Sequence, residues 1–150
     1  MIKVNVEIDS KSWFKKIRYP KKYFYYKLKK ITKVVKLFKK RNITFTILLT
    51  NSIKMKKLNK KFRKKNKSTD VLSFPAFLPK KLKFVKEKQI YVGDLAISYE
   101  IVNSRSKKNF AEEFDKVWVH GLLHLIGYDH IKNKDYYKMI KIEKRILNLI

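Results

Sequence analysis

The sequence predicts an α+β domain in which helices pack on a mixed sheet of about four strands. Three observations carry this expectation. Short runs with period-two alternation or β-branched enrichment mark strands, segments with apolar residues at helical spacing separate them, and no repeat or low-complexity linker divides the chain. At 150 residues the chain is long enough to bury a sizeable core, so one domain spanning residues 1–150 is expected.

Each element has its own signal. Ile2, Val4, Val6 and Ile8 alternate with Lys3, Asn5, Glu7 and Asp9, the pattern of a half-buried strand. Pro20 opens a helix, and Phe24, Leu28, Ile31, Val35 and Phe38 recur along it at helical spacing, with lysines filling much of the other face. Ile43 to Thr50 is a second strand, rich in β-branched residues. Asn51 or Ser52 then caps a short helix carrying Ile53, Met55, Leu58 and Phe62. Val71 to Phe74 is a short strand stopped by Pro75, and Pro75 to Lys88 reads as a lysine-rich loop. In the strand QIYVGDLAIS, Gly93 marks a bulge or a close backbone approach. The pattern is helical from Tyr99. Ala111, Glu112 and Glu113 suit a helix start, Val117, Leu122, Leu125 and Ile126 continue it, and Gly127 ends it in a left-handed cap. A last helix runs from roughly Asn133 to Leu149.

Composition excludes several classes of function. There is no cysteine, so disulfide and thiolate chemistry are absent, which fits a reducing compartment. The first residues lack the apolar core of a signal peptide, and the apolar run from Val117 to Tyr128 is too short to span a bilayer. A cytoplasmic protein without a membrane partner is expected. Lys and Arg number 39 against 12 Asp and Glu, a formal charge of +27, and a field of that sign attracts polyanions, nucleic acid foremost. Only five of the cations are arginine while Ile, Asn and Tyr are abundant, so part of the lysine content reflects AT-rich coding and solvated faces.

All three histidines fall within HGLLHLIGYDH, His120 to His130. His120 and His124 are four apart and project from one face of a helix, one turn from each other. A chain reversal at Gly127 brings His130 towards them. Three converging imidazoles leave a fourth position open to water, the pattern of a catalytic zinc, although nickel, cobalt or copper also accept imidazole. A metal site at the end of a central helix is therefore expected. The spacing matches the metzincin pattern H-E-x-x-H-x-x-G-x-x-H, except that Gly121 stands where those proteases carry their glutamate base. The three-histidine cradle is thus read as serving other chemistry than peptide hydrolysis.

The same stretch resembles the signature H-G-x-L-H-L-x-G-Y-D-H of the YbeY family, bacterial metal-dependent endoribonucleases of ribosomal RNA maturation. Leu58-Asn59, Phe62-Arg63 and STDVLSFP (Ser68 to Pro75) are similar to a second block, L-N-x-x-[YF]-R followed by T-D-V-L-S-F-P, and GDLAIS (Gly93 to Ser98) to a third. The resemblance covers about Leu58 to His130, whereas the basic loop around Lys80 to Lys88 and the short C-terminal tail depart from it. It implies one Zn²⁺ held by His120, His124 and His130 plus a water, and a catalytic role for Arg63 on RNA. Arg63 supplies a permanently charged fork to a phosphate, and Lys61 and Lys64 beside it hold the RNA backbone without reading sequence. Asp129 is read as a turn former near the third histidine, and Asp70 and Ser73 as residues that fix a strand. The nucleophile is either water or the RNA 2′-hydroxyl. The implied activity is single-strand-directed cleavage in ribosomal RNA maturation, at the 3′ end of the small-subunit RNA, and in ribosome quality control, with RNA and the small ribosomal subunit as partners and no role for DNA. A non-catalytic ribosome-assembly factor, its metal holding the fold and its positive surface binding RNA, is the alternative.

Overall fold

The computed structural model describes residues 1–78 and 81–150. Pro79 and Lys80, part of the expected lysine-rich loop, lie outside the described residues. Strands β1 (Ile2–Ile8), β2 (Asn42–Thr50), β3 (Val71–Pro75) and β4 (Gln89–Ser98) form one sheet in the order β1-β2-β4-β3. β1, β2 and β4 run parallel and β3 joins β4 antiparallel, so the sheet is mixed, as the sequence predicts. Parallel neighbours require crossovers. Helices α1 (Pro20–Ile31) and α2 (Lys36–Lys40) supply the first, and α3 (Ser52–Arg63) with β3 supplies the second. Helices α4 (Tyr99–Arg105), α5 (Phe110–Leu125) and α6 (Asn133–Leu147) complete the fold. No described helix is long and apolar enough to cross a membrane.

Period-two patterning assigns the two faces of the sheet. Ile43, Phe45, Ile47 and Leu49 of β2 are fully buried and join the main core with Phe24, Trp118 and Leu122. The opposite face carries a smaller cluster of Met55, Leu72 and Ala96 under α3. β4 holds its apolar residues on the main-core side only because it is bulged. Thr44 pairs with Tyr91 and Thr46 with Asp94, so β4 advances three residues while β2 advances two. The extra residue switches the inward parity from Ile90 and Val92 to Leu95 and Ile97. Gly93, at φ 130°, absorbs the bulge foreseen there.

The helix expected to run continuously past Phe38 is instead two helices. Val35 is extended, at φ −95° and ψ 123°, and separates α1 from α2, yet Phe24, Leu28, Ile31, Val35 and Phe38 are all buried. Thr32 donates its hydroxyl to the Leu28 carbonyl at 3.0 Å, and the β-branched residues Thr32, Val34 and Val35 sit where the helix ends. Such residues lose rotamer freedom in a helix, and the hydroxyl competes for its carbonyls. Burial spacing alone did not reveal the break. A 3₁₀ turn at Lys11–Lys15 also had no sequence signal. Its Trp13 is fully buried and donates its indole N–H to the Thr50 carbonyl at 2.9 Å.

α5 crosses β3 and β4 and is covered in turn by α6. Asn109 caps it, its side chain accepting from the Glu112 N–H at 3.3 Å. Near its start, buried Asp115 accepts from the Tyr23 hydroxyl at 2.7 Å and the Trp118 indole at 2.8 Å, and it pairs with Lys27. Burial and the Asp115 charge push the Tyr23 phenol up, keeping it a donor. This cluster fastens α1 to α5.

Further along, Gly121 sets how closely α5 approaches the sheet. A Cβ there would stand 2.9 Å from Leu95 Cδ2 and 3.1 Å from Val71 Cγ2. Alanine normally stabilises a helix interior by about 1 kcal/mol over glycine. Here overpacking costs about 1–3 kcal/mol, so Gly121→Ala is expected to lower the urea midpoint. Gly121→Glu, which pushes a carboxylate into the same space, lowers it much further. A midpoint above wild type in the alanine variant would show that the helix can lift off the sheet without cost.

Candidate metal centre

The end of α5 builds the site. Its 3.6-residue period places His120 and His124 on one side of the last turns. The helix then stops in a Schellman cap: the Tyr128 N–H donates to the Leu123 carbonyl at 3.0 Å and the Gly127 N–H to the His124 carbonyl at 3.1 Å. Gly127 takes φ 92°, which L side chains rarely adopt. The chain folds back, and Asp129 accepts from the backbone N–H of the adjacent His130 at 2.7 Å, outside the turn at 126–127 and so not in the turn-forming role expected of it. His130 is thereby returned to the pair. One ring nitrogen from each of the three histidines lies within 4.8 Å of the others.

Hydrogen bonding fixes which nitrogens face inward. His124 Nδ1 lies 3.0 Å from the Tyr128 carbonyl, which can only accept, so Nδ1 carries the proton and Nε2 is bare. His120 Nδ1 lies 3.1 Å from Glu143 Oε1 and is oriented the same way. Burial, reinforced by His120 and His130, holds His124 below the usual histidine range, so its neutral form prevails near pH 7. With both Nδ1 atoms turned to acceptors, the two Nε2 atoms face each other across 3.1 Å. A cation or a shared proton satisfies such a pair. Nitrogens around a tetrahedral ion, bonded at about 2.0–2.1 Å, stand about 3.3 Å apart. The donor set therefore fits a divalent metal.

The histidines open into a cleft of about 460 Å³ whose wall includes Arg63, Asp70, Ser73 and Pro75. Arg63 is the last residue of α3, exposed, and free of hydrogen bonds and ion pairs among the described residues. Asn59 anchors the chain beyond α3: its buried amide donates to the Lys67 carbonyl at 2.8 Å. Lys61 and Lys64 are exposed but do not line the cleft. The Lys61 ammonium lies 5.3 Å from the centre of the Phe62 ring, and Lys64 is the left-handed C-cap of α3, at φ 58°. Asp70 accepts from the Val71 N–H at 2.8 Å and pairs with Arg105, while Ser73 donates to the Gly121 carbonyl at 3.3 Å. Ser73 thus ties β3 to α5, and Asp70 ties the start of β3 to the end of α4. Asp94 receives the Tyr91 hydroxyl and lies away from the cleft wall.

Glu143 is the residue that sequence reading missed. In α6 it stands on the stripe formed by buried Met139, partly buried Ile142 and buried Ile146, an acid on an apolar face. That interruption was the available signal. Carboxylates behind ligating histidines orient the ring and raise its basicity. Glu143→Ala is expected to weaken metal affinity by about 10–100-fold while leaving the fold intact, measured by competition with a chromophoric chelator alongside circular dichroism. Unchanged affinity would make the contact merely structural.

Comparison with known proteins gives the family and the fold. The family profile described as Endoribonuclease YbeY matches residues 7–150. A curated relative of that name from Pelagibacter ubique is 46% identical over 153 residues, covering 100% of this chain and 97% of the relative. Another, from Thermodesulfovibrio yellowstonii, is 35% identical, with 98% of each chain covered. Among solved structures, a solution structure from Thermotoga maritima superposes with a TM-score of 0.61 at 24% identity, covering 99% of this chain and 87% of the other, and supports the fold.

Proposed function

The chain belongs to the YbeY endoribonuclease family, and on that premise we propose that it is a zinc-dependent endoribonuclease of single-stranded RNA. The family supports an RNA-cleaving role and makes RNA the substrate class. The finer reading is one catalytic domain spanning residues 1–150, acting in the cytoplasm on ribosomal RNA, at the 3′ end of the small-subunit RNA, with the small ribosomal subunit as partner.

One observation supports the catalytic reading above others: three converging histidine nitrogens share one open cleft with an arginine that is unpaired among the described residues. In this reading His120, His124 and His130 hold the zinc. Bound there, the ion would supply Lewis-acid chemistry toward a phosphoryl oxygen and a nucleophile of lowered pKa. The protein's own groups do the rest. Glu143 and the Tyr128 carbonyl hold two of the rings in the tautomer that presents Nε2 to the cleft. Arg63 meets the scissile phosphate with its planar fork, and its hold tightens as charge develops on the non-bridging oxygens. Lys61 and Lys64, outside the cleft, attract the flanking backbone, a contribution that salt screens. Gly121 stands where a metzincin carries its glutamate base, and a Cβ there would already press on Leu95 and Val71, which argues against peptide hydrolysis.

The test is direct. The zinc-loaded protein is incubated with single-stranded RNA, duplex RNA, single-stranded DNA and a peptide library, before and after chelation. Cleavage of single-stranded RNA alone, lost on chelation and restored by zinc, is the expected result. Peptide cleavage alone, or RNA cleavage that survives removal of the metal, would overturn the reading.

A further inference from the structure

Immediately past the third histidine the chain places Ile131 in water, 82% exposed. This side chain lies between two hollows. On one side is the metal cleft, and on the other a cavity of about 410 Å³ bounded by Ile131, Lys132, Asp135 and Lys138. Tyr128, Asp129 and Ile131 line both, so the two hollows adjoin along this segment. The second cavity is of the size that holds small organic ligands, about 300–1,000 Å³. Its walls combine an apolar surface with four charged groups of both signs, of which Asp129 already accepts from the His130 N–H.

Asp135 is the informative group. It is half-buried, and among the described residues its carboxylate has no ion pair and no side-chain hydrogen bond. This is unusual in a chain with 39 cationic and 12 acidic residues, the more so because Lys132 and Lys138 line the same cavity without pairing to it. A carboxylate only accepts, so its complement is a donor, whereas the two lysines complement an anion. A ligand that joins an amino group to a phosphate through a flat apolar body satisfies all of them.

We propose that this cavity is a nucleotide subsite, taking the nucleoside next to the scissile phosphate and selecting a base with an exocyclic amino group. This rests on the RNA-cleaving reading above. The base lies against Ile131 and Tyr128, its amino group donates to Asp135, and the adjoining phosphate meets Lys132 and Lys138. Cytosine, adenine and guanine carry such an amino group and uracil does not. Single-stranded RNA suits the site, because its unstacked bases expose their Watson–Crick edges to side chains.

The experiment titrates the isotope-labelled, zinc-loaded full chain with the 5′-monophosphates of cytidine, adenosine, guanosine and uridine, monitoring backbone amides by NMR. Shifts at Tyr128, Ile131 and Asp135, with uridine monophosphate bound about tenfold more weakly than the others, are expected. Asp135→Asn, whose amide both donates and accepts, removes the difference. Ile131→Ser, a change at an exposed position, weakens all four. Equal binding of uridine monophosphate by wild type, or an undiminished preference in Asp135→Asn, overturns the subsite. Mapping cuts in a single-stranded RNA with all four bases reads the activity separately. If no RNA is cut while the titration keeps its base preference, the nuclease reading fails and the subsite stands.

Discussion

Replacing His124 with alanine is expected to strip the metal and lower RNA cleavage by at least about 10³-fold, because an ion's charge stabilisation at a phosphoryl centre contributes several kcal/mol. His124 is the middle of the three candidate ligands, and burial favours its neutral form. Two histidines remain, and they do not form a closed site for a four-coordinate ion. The fold should survive. The ring is half-buried and its one backbone bond, to the Tyr128 carbonyl, contributes about 1 kcal/mol. The Schellman cap depends on backbone groups and Gly127, which the change leaves alone. Metal content, circular dichroism and cleavage rate on one preparation therefore separate the two readings of the sequence. An enzyme loses cleavage while staying folded, whereas an assembly factor with a structural metal loses its fold with the ion. A folded, metal-free variant that cuts RNA at the wild-type rate would end the nuclease assignment.

Legibility in the sequence depends on how far each feature reaches along the chain. The histidine centre was readable because helical period, one glycine and one turn assemble it within eleven residues. The strands were readable because a half-buried sheet imposes period two, and the bulge because Gly93 interrupts that period. Glu143 was not assigned because its partner lies on another helix, 23 residues away. Nothing local states that α6 lies over α5. The gap between α1 and α2 was hidden for a related reason. Burial of Val35 and Phe38 satisfies the same spacing whether the chain between them is helical or extended. Arg63 occupies an intermediate place. Resemblance named it, but only the closure of α3 against β3 put it on the wall of the histidine cleft.

That placement predicts the second large effect. Arg63→Ala is expected to lower kcat by about 10²–10³-fold, the loss typical of removing one preorganised donor to a developing oxyanion. Zinc content and stability should hardly move. Arg63 touches no histidine through a hydrogen bond, and an exposed side chain without partners among the described residues changes stability by less than about 0.5 kcal/mol when truncated. Because its interaction strengthens on the way to the transition state, kcat and kcat/KM should fall together, with little change in KM. Arg63→Lys should recover only part of the rate, since a point charge replaces a two-pronged donor. The backbone around it is already committed: Asn59 ties down Lys67, and Lys64 holds a left-handed conformation that costs a non-glycine residue about 1–2 kcal/mol. Such fixing makes sense if the guanidinium must wait at one spot for a phosphate. Wild-type turnover in Arg63→Ala would remove the residue from the chemistry. A parallel loss of zinc and rate would show instead that it shapes the metal centre, leaving the phosphate to the ion alone.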